Sequence, residues 1–433
     1  MLRFLDLRAS APGPRAGLPR PDLSENAPVA EVRAIVEAVR SRGDAAVLEF
    51  TSRFDKVDLD EIRVPLAEIE AAPSRLEPGL LAALREAAES VEAFHRHRAA
   101  ELSTYERNGI TVELLELPVA RAGVYVPGGL ARYPSSVLMN AIPARVAGVE
   151  GIAVCVPPSP GGEIADEVLA AASLAGVDEV YRIGGAQAIA ALAYGTETVR
   201  RVDVIVGPGN RFVSLAKVEV KGAVGMPSSF AGPSEVVVIA DGSVPVDYVA
   251  IDLVVQAEHG PDGLAWLITW SEEVLEAVTA AVSRLVSESP RRAEIEATLD
   301  AGGYGVLVDG PEQAMAVSNE IAPEHLELCC KDPRALVGRV RNAGAVFLGP
   351  NTPASLGDYI AGPSHTLPTF GSARYSSVLG VEDFLRRVHV ISADSSALGR
   401  VAPYVAAIAN AEGLYAHAQS VLLRSRPGQV GAL

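Results

Sequence analysis

A strand, a turn rich in glycine or proline, and a helix follow one another repeatedly along the middle of this chain. The pattern begins near residue 121, where the apolar run 122–126 ends in Pro-Gly-Gly. It recurs at 180–183 before Gly-Gly, and at 202–206 before Gly-Pro-Gly-Asn. Strands that alternate with helices in this way predict a parallel sheet covered by helices on both faces.

A second region with the same pattern begins at residue 235, with apolar strands expected at 236–240, 264–270, 305–308 and 344–348. We therefore predict an α/β fold with two doubly wound Rossmann-like domains and a small helical C-terminal region. The expected boundaries are an N-terminal arm at 1–25, a first α/β domain at 26–119 and 235–375, an inserted second α/β domain at 120–234, and a C-terminal helical tail at 376–433. The chain contains no GxGxxG fingerprint, so the standard dinucleotide-binding mode is not supported.

Helical periodicity is also visible before the first sheet. Residues 29–54 are expected to be helical, with a break at 42–44, and residues 78–107 are expected to form one long amphipathic helix. His95 and His97 lie two residues apart in that helix, on different faces, and are predicted to be surface residues.

Charge and cysteine content exclude several classes of partner. The 433 residues include 37 Lys and Arg against 54 Asp and Glu, a formal net charge of -17. This charge repels phosphate backbones and anionic lipid, so we expect no nucleic acid or membrane partner. We expect neither a signal peptide nor a transmembrane helix. The three cysteines form no CxxC, and the pattern is typical of a reducing cytosol, which predicts a cytoplasmic protein.

Four of the seven histidines lie in short stretches that also hold carboxylates, carboxamides or turn residues. The stretches are 256–259, 323–327, 357–365 and 412–417. This combination suits a bound cation with a general base, which favours an enzyme acting on a small molecule over a binding module.

Gln256 and His259 are three residues apart in a helical stretch and project from one face. With Asp358 and His417 they would make a borderline-hard ligand set that suits zinc and tolerates manganese or cobalt. Spacing alone favours the ordinary alternative, a capping glutamine and hydrogen-bonded core histidines, because QxxH is a weak pattern.

Pro323, Glu324 and His325 resemble the start of a helix, with proline in the first turn and an acid at the positive end of the dipole. There the dipole favours a neutral His325 that accepts a proton near pH 7, and Glu324 could serve a separate proton transfer. The alternative is that the acids only stabilise the helix start.

The glycine-rich turns at 184–185 and 207–210 present backbone N–H groups that suit a pyrophosphate or a ribose, although such turns are more often structural. Ser234 lies in the AGPSE stretch at the predicted domain junction, where it would donate a hydrogen bond in a cleft or cap a turn.

At these residues the chain resembles the histidinol dehydrogenase family. The stretches that carry the resemblance are QAEH at 256–259, APEHLEL at 322–328, SLGDYIAGPSHTLPT at 355–369, AEGLYAH at 411–417, GGAQAIAALAYGTETV at 184–199, VGPGN at 206–210 and AGPSE at 231–235. The family is zinc- and NAD-dependent and oxidises L-histidinol to L-histidine through histidinal, so the resemblance implies that four-electron reaction here.

The resemblance also implies roles for single residues. One zinc per subunit would be held by Gln256, His259, Asp358 and His417, the last from the partner subunit of a homodimer. Glu324 and His325 match the proton acceptors. The residues that match positions around the substrate are Ser234, Gln256, His259, His325, Asp358, His365, Glu412 and His417. Those that match NAD contacts are Tyr125, Gln187 and Asn210.

Two positions depart from the common pattern of the family. Ser228 stands where an aspartate is frequent, and Ser364 replaces a frequent asparagine before His365. An alternative is therefore a related zinc-dependent dehydrogenase of another amino alcohol or of a sulfonated diol. A non-catalytic nucleotide- or metal-binding protein is a third hypothesis, and it predicts no activity that depends on Glu324 and His325.

Overall fold

The computed structural model describes residues 2–9, 18–20, 27–97, 104–128, 132–227, 232–258, 260 and 262–425. The chain divides into two compact units, one formed by 1–98 and 120–384 and the other by 99–119 and 385–433.

The described strands are β1 (Arg3–Asp6), β2 (Thr104–Arg107), β3 (Ile110–Pro118), β4 (Arg121–Tyr125), β5 (Gly151–Val156), β6 (Glu179–Arg182), β7 (Val204–Val206), β8 (Glu235–Ala240), β9 (Leu264–Thr269), β10 (Gly303–Leu307), β11 (His325–Cys329), β12 (Ala345–Leu348) and β13 (Leu385–Ala393). The described helices are α1 (Val29–Arg42), α2 (Asp44–Asp55), α3 (Leu66–Arg75), α4 (Pro78–His97), α5 (Pro134–Ala147), α6 (Asp166–Leu174), α7 (Gly185–Tyr194), α8 (Arg211–Glu219), α9 (Val246–Ala257), α10 (Glu272–Glu288), α11 (Arg292–Gly302), α12 (Pro311–Ile321), α13 (Pro333–Val337), α14 (Ala354–Tyr359), α15 (Ser395–Ala411) and α16 (Tyr415–Arg424).

The larger unit holds two parallel sheets, which confirms the predicted α/β class. The first has the order β6-β5-β4-β7. Its strands are nearly continuous apolar runs because helices cover both faces. The strand order reverses between β4 and β7, so ligand-binding turns are expected beyond the carboxyl ends of those two strands.

The second sheet has the order β1-β10-β9-β8-β11-β12, and its neighbouring strands pair in parallel. Its order reverses between β8 and β11. The edge strand β1 corrects the predicted N-terminal arm, since Arg3–Asp6 pairs with β10 rather than running free. The rest of the arm lies partly outside the described residues.

Hydrophobic cores flank both sheets. Val32, Val39 and Phe50 of the first two helices pack with Ile189 and Leu192 of α7 against the four-stranded sheet. Two further clusters cover the faces of the six-stranded sheet, one of them around Trp266. The predicted break in the first helical stretch is confirmed at Gly43, whose φ of 55° separates α1 from α2. The predicted domain boundaries near 120, 234 and 375 stay a proposal.

The smaller unit contains an antiparallel sheet of order β13-β3-β2 and the helix pair α15 and α16. The predicted helix over 78–107 is therefore wrong at its end, because α4 stops at His97 and 104–107 is a strand. The helical tail likewise includes a nine-residue strand, β13. Tyr105 and Val112 pair across β2 and β3, so cross-strand packing decides what helical periodicity alone could not.

The two histidines of α4 differ in burial. His97 is exposed as predicted, but His95 is only 2% exposed, so its assignment to the surface was wrong. It lies on the same face as Val91 and Ala88, the apolar stripe that packs inward.

None of the described helices is both long enough and apolar enough to cross a bilayer. All three cysteines are buried and unpaired.

Candidate active site

The residues with the most perturbed chemistry lie where β8 and β11 begin, at the amino edge of the six-stranded sheet. Glu324 precedes β11, and its Oε2 accepts a hydrogen bond of 3.0 Å from the backbone N–H of Glu235. Ser234 also donates to this carboxylate through its side chain. The Nδ1 atom of His325 is 3.4 Å from the carbonyl oxygen of Glu235. The pairing of two neighbouring strands thus fixes both predicted proton acceptors beside Ser234.

Pro323, Glu324 and His325 do not begin a helix, which corrects the sequence prediction. Helix α12 ends at Ile321, Ala322 adopts the left-handed conformation, and His325 opens strand β11. The segment lies between β8 and β12, so sheet pairing on both sides outweighs its resemblance to a helix start. His325 therefore does not lie in the first turn of a helix, where the predicted dipole would act.

Burial makes Glu324 a poor acid. The carboxyl group is 6% exposed, and this burial raises its pKa to about 7, although His325 and the N–H of Glu235 act in the opposite direction. A carboxylate with a pKa near neutrality can both accept and return a proton at physiological pH.

His325 is held by negative charge on both sides. Its Nδ1 lies 3.7 Å from Glu324 Oε2, and its Nε2 lies 3.7 Å from Asp358 Oδ1. Burial lowers the pKa of His325, but the two carboxylates outweigh it and raise the pKa to about 9. The distance of 3.7 Å is too long for a hydrogen bond, so Nε2 is buried without a partner. The helix dipole expected to keep His325 neutral is therefore replaced by two flanking carboxylates, which favour its charged form.

Asp358 and His365 are brought together by the short helix α14 and the loop after it. The Nδ1 atom of His365 is 3.0 Å from the carbonyl oxygen of Asp358, and its Nε2 is 3.3 Å from Ser136 Oγ. If Nδ1 carries the proton, Nε2 is the acceptor for the serine hydroxyl. Ser364 is buried, and its hydroxyl accepts from the N–H of Thr366 within the loop.

The carboxamide of Gln256 fits a metal ligand. It lies in the last turn of α9, is 4% exposed, and its Nε2 is buried without a hydrogen-bond partner. The oxygen and nitrogen of such an amide are assigned from the hydrogen-bond network, so the orphaned atom marks a side chain with an unfilled polar contact. Tyr359, next to Asp358, senses the charges of both Asp358 and Glu258, which places the end of α9 near α14.

Other predicted residues lie elsewhere. His259 and Ser228 are outside the described residues. Glu412 and His417 belong to the smaller unit, where both are exposed. Among described histidine, cysteine and acidic residues, the cluster with ligand atoms within 4.8 Å of one another is Asp252, Glu327 and Cys329. It contains none of the predicted zinc ligands.

The predicted dinucleotide contacts lie at the carboxyl edge of the four-stranded sheet. The Tyr125 hydroxyl accepts from the N–H of Gly185 at 3.2 Å, which ties the end of β4 to the turn before α7. Gln187 is buried, and its Oε1 has no partner. Asn210 caps α8, since its Oδ1 accepts from the N–H groups of Phe212 and Val213 at 3.0 and 3.2 Å. The orphaned oxygen and the two turns fit a ligand rich in hydroxyl and phosphate groups.

Sequence reasoning missed Ser136 and Asn140. Asn140 Oδ1 accepts from Thr366 Oγ1 at 3.1 Å, while Ser136 contacts His365, so helix α5 supports the loop that holds His365. A signal was present, because these two polar residues lie one turn apart in an otherwise apolar, buried helix. Their partners are more than 200 residues away, which no spacing argument reveals.

Comparison with known proteins identifies relatives of this chain. The family model described as histidinol dehydrogenase matches residues 18–425. A histidinol dehydrogenase of a Synechococcus strain is 51% identical, with 92% of each chain covered. One from Thermosynechococcus vestitus is 48% identical over 94% of this chain and 96% of its own. The crystal structure of histidinol dehydrogenase from Elizabethkingia anophelis superposes with a TM-score of 0.88 at 35% identity, covering 95% and 94% of the two chains.

Proposed function

The chain belongs to the histidinol dehydrogenase family, and from that premise we propose how its own residues divide the work. It is an NAD-dependent oxidoreductase of histidine biosynthesis that oxidises histidinol, and its cofactors are zinc and NAD. The alternative of another amino alcohol or a sulfonated diol is not favoured by these relatives. When bound, the two cofactors supply an electrophilic anchor for the substrate and an acceptor for hydride.

In its neutral form, His325 takes the proton from the substrate hydroxyl as hydride leaves for NAD and the alcohol is oxidised to the aldehyde. Glu324 then takes a proton from the water that attacks the aldehyde, which sets up the second oxidation to the acid. Ser234 holds the Glu324 carboxylate, and His365 binds the substrate beside Asp358. The observation that carries this proposal is the chain of contacts from Ser234 through the buried Glu324 and His325 to Asp358.

Gln256, His259 and Asp358 hold the zinc, together with His417 of the partner subunit. The orphaned amide of Gln256 and the carboxylate of Asp358 beside His325 support this set. The substrate binds against the same four ligands and against Ser234, His325, His365 and Glu412. Tyr125, Gln187 and Asn210 bind NAD, which agrees with the unpaired Gln187 oxygen.

We place the protein as a homodimer in the cytoplasm. The smaller unit exposes large apolar side chains, among them Ile391, Tyr404, Ile408 and Tyr415, each more than 60% exposed. Such a surface favours burial against a second copy. Three unpaired buried cysteines suit a reducing compartment.

The test is the number of NADH formed per substrate, followed by absorbance. Wild-type protein is expected to form two NADH per L-histidinol. Glu324→Gln keeps the shape but cannot accept a proton from water, so oxidation of added histidinal should slow by about 10²- to 10⁴-fold. Glu276→Gln, the same change at an exposed position of α10, is the control and should match wild type. One NADH per histidinol in the wild type, or an unimpaired Glu324→Gln, would contradict the assignment.

A further inference from the structure

Two carboxyl groups lie against each other beneath the candidate site. Glu327 on β11 is 1% exposed, and Asp252 on α9 is half-buried. One carboxyl oxygen of each residue lies within 4.8 Å of the other, and two carboxyl groups this close avoid repulsion by sharing one proton. Burial raises the pKa of Asp252, and burial together with Asp252 raises that of Glu327. The pair is therefore a carboxyl group donating to a carboxylate rather than two repelling charges.

Asp252 and Glu327 each lie on the same face of the same element as a candidate site residue. Glu327 follows His325 by two residues on a strand, so both side chains face the same side, about 6–7 Å apart along β11. Asp252 precedes Gln256 by four residues, on one face of α9 and about 6 Å apart along its axis. These two separations are nearly equal. The contact between Asp252 and Glu327 therefore fixes the position of Gln256 along α9 relative to His325 on β11.

The same carboxyl group reaches a third element. Glu327 Oε1 accepts a hydrogen bond of 3.1 Å from the backbone N–H of Ala354, the first residue of α14. Asp358 follows Ala354 by one helical turn. Glu327 thus joins the strand of His325, the helix of Gln256 and the helix of Asp358.

A cation is not needed to explain the cluster. Cys329 Sγ lies within 4.8 Å of both carboxyl groups, but burial raises the pKa of this thiol and keeps it protonated, and a thiol is a poor ligand. The Glu327 carboxyl group is already engaged, since it contacts Asp252 and accepts a hydrogen bond from the N–H of Ala354.

We propose that Asp252 and Glu327 are positioning residues that hold α9, β11 and α14 at a fixed spacing. This spacing brings together Gln256, His325 and Asp358, and the proposal rests on the ligand set of the proposed function. Asp252 and Glu327 touch neither substrate nor cofactor. Their effect on the reaction passes through the geometry of the metal site.

The test measures zinc affinity of the full chain by competition with a chromophoric chelator. Glu327→Ala and Asp252→Ala should each weaken zinc binding by about 10- to 100-fold. Glu327→Gln should stay close to wild type, because the amide nitrogen donates to Asp252 while the amide oxygen still accepts from Ala354. This rescue by the conservative variant separates positioning from a need for charge.

Glu179→Gln is the matched control, a buried glutamate in the other sheet, and should lower stability without changing zinc affinity. Asp358→Ala separates the two proposals: if it keeps wild-type zinc affinity, the ligand set itself is wrong. If it loses zinc while Asp252→Ala and Glu327→Ala keep it, only the positioning role is overturned. If Glu327→Ala does not fold, Glu327→Gln decides instead. Zinc binding by Glu327→Gln that is as weak as that by Asp252→Ala would then overturn the positioning role. Two zinc ions per chain, reduced to one by Cys329→Ala, would overturn it as well.

Discussion

Glu324 and Glu179 are both buried glutamates at the start of a parallel strand, yet their pKa values move in opposite directions. No arginine contacts Glu324 among the described residues, and burial raises its pKa to about 7. Burial also works to raise the pKa of Glu179, but hydrogen bonds from Arg121, Arg200 and Tyr181 outweigh it and lower the pKa to about 2. The first group is suited to proton transfer and the second to holding a sheet together.

The Glu179 ion pair predicts how stability depends on pH. Its pKa is below the ordinary 4.5, so its contribution is fully present above about pH 4.5 and is lost as pH falls through about 2. We expect Glu179→Gln to cost about 2 kcal/mol at pH 7, since Arg200 is solvent-exposed, and less than half of that at pH 3. Urea unfolding at both pH values measures this. A cost that does not change with pH would contradict the assignment.

At this scale the sequence identified which residue types carry the chemistry, but not their charge states. The pKa of His325 depends on Asp358, 33 residues away, and on Glu324, whose burial comes from pairing with β8. Both are set by the fold rather than by neighbours in sequence.

Between elements, the turn from β7 to α8 is the tightest of the glycine-rich turns. Gly207 has a φ of 100°, and a Cβ there would lie 2.1 Å from the carbonyl oxygen of Tyr125. The buried Lys217 donates to the Gly207 carbonyl, and burial lowers the pKa of this amine to about 8. The turn is therefore fixed from both sides, which pre-shapes the candidate dinucleotide site at Asn210.

Gly207→Ala should destabilise the fold by more than the strain of its positive φ, because the new Cβ would also clash with the Tyr125 carbonyl oxygen. Gly222 is a matched control, because its φ of 105° is similar but a Cβ there meets nothing within 4 Å. We expect Gly222→Ala to lose about 1 kcal/mol of stability with unchanged NAD binding, whereas Gly207→Ala loses about 3 kcal/mol or more and binds NAD at least tenfold more weakly. Urea unfolding and calorimetric titration with NAD distinguish the two. Equal losses would show that the Tyr125 contact does not matter.

Most elements of both sheets could be predicted because apolar runs bounded by glycine and proline mark buried parallel strands. Two segments that were predicted as helical are strands in the structure. The alternating residues of His325–Cys329 became a central strand through pairing with β8 and β12, and Thr104–Arg107 became a strand through pairing with β3. Pairing partners distant in sequence decided both.

At the scale of the whole chain, the candidate functional residues of the two sheets lie at opposite strand ends. The candidate NAD turns follow the carboxyl ends of the first sheet, whereas Glu324 and His325 precede a strand of the second. At the corresponding carboxyl edge of the second sheet, Asp241 accepts hydrogen bonds from the N–H groups of Ser243 and Lys331. The repeated strand–turn–helix pattern in the sequence therefore did not predict which edge of each sheet holds the candidate residues.

The central claim is that distant segments, one of them from a second copy, complete a single zinc site. Mixing an inactive Gln256→Ala protein with an inactive His417→Ala protein, under conditions that exchange subunits, tests it most directly. At equal amounts, half of the dimers are mixed, and each mixed dimer has one intact site, so we predict recovery of about a quarter of wild-type histidinol oxidation. No recovery at any mixing ratio, with subunit exchange verified by mass spectrometry, would contradict the shared site.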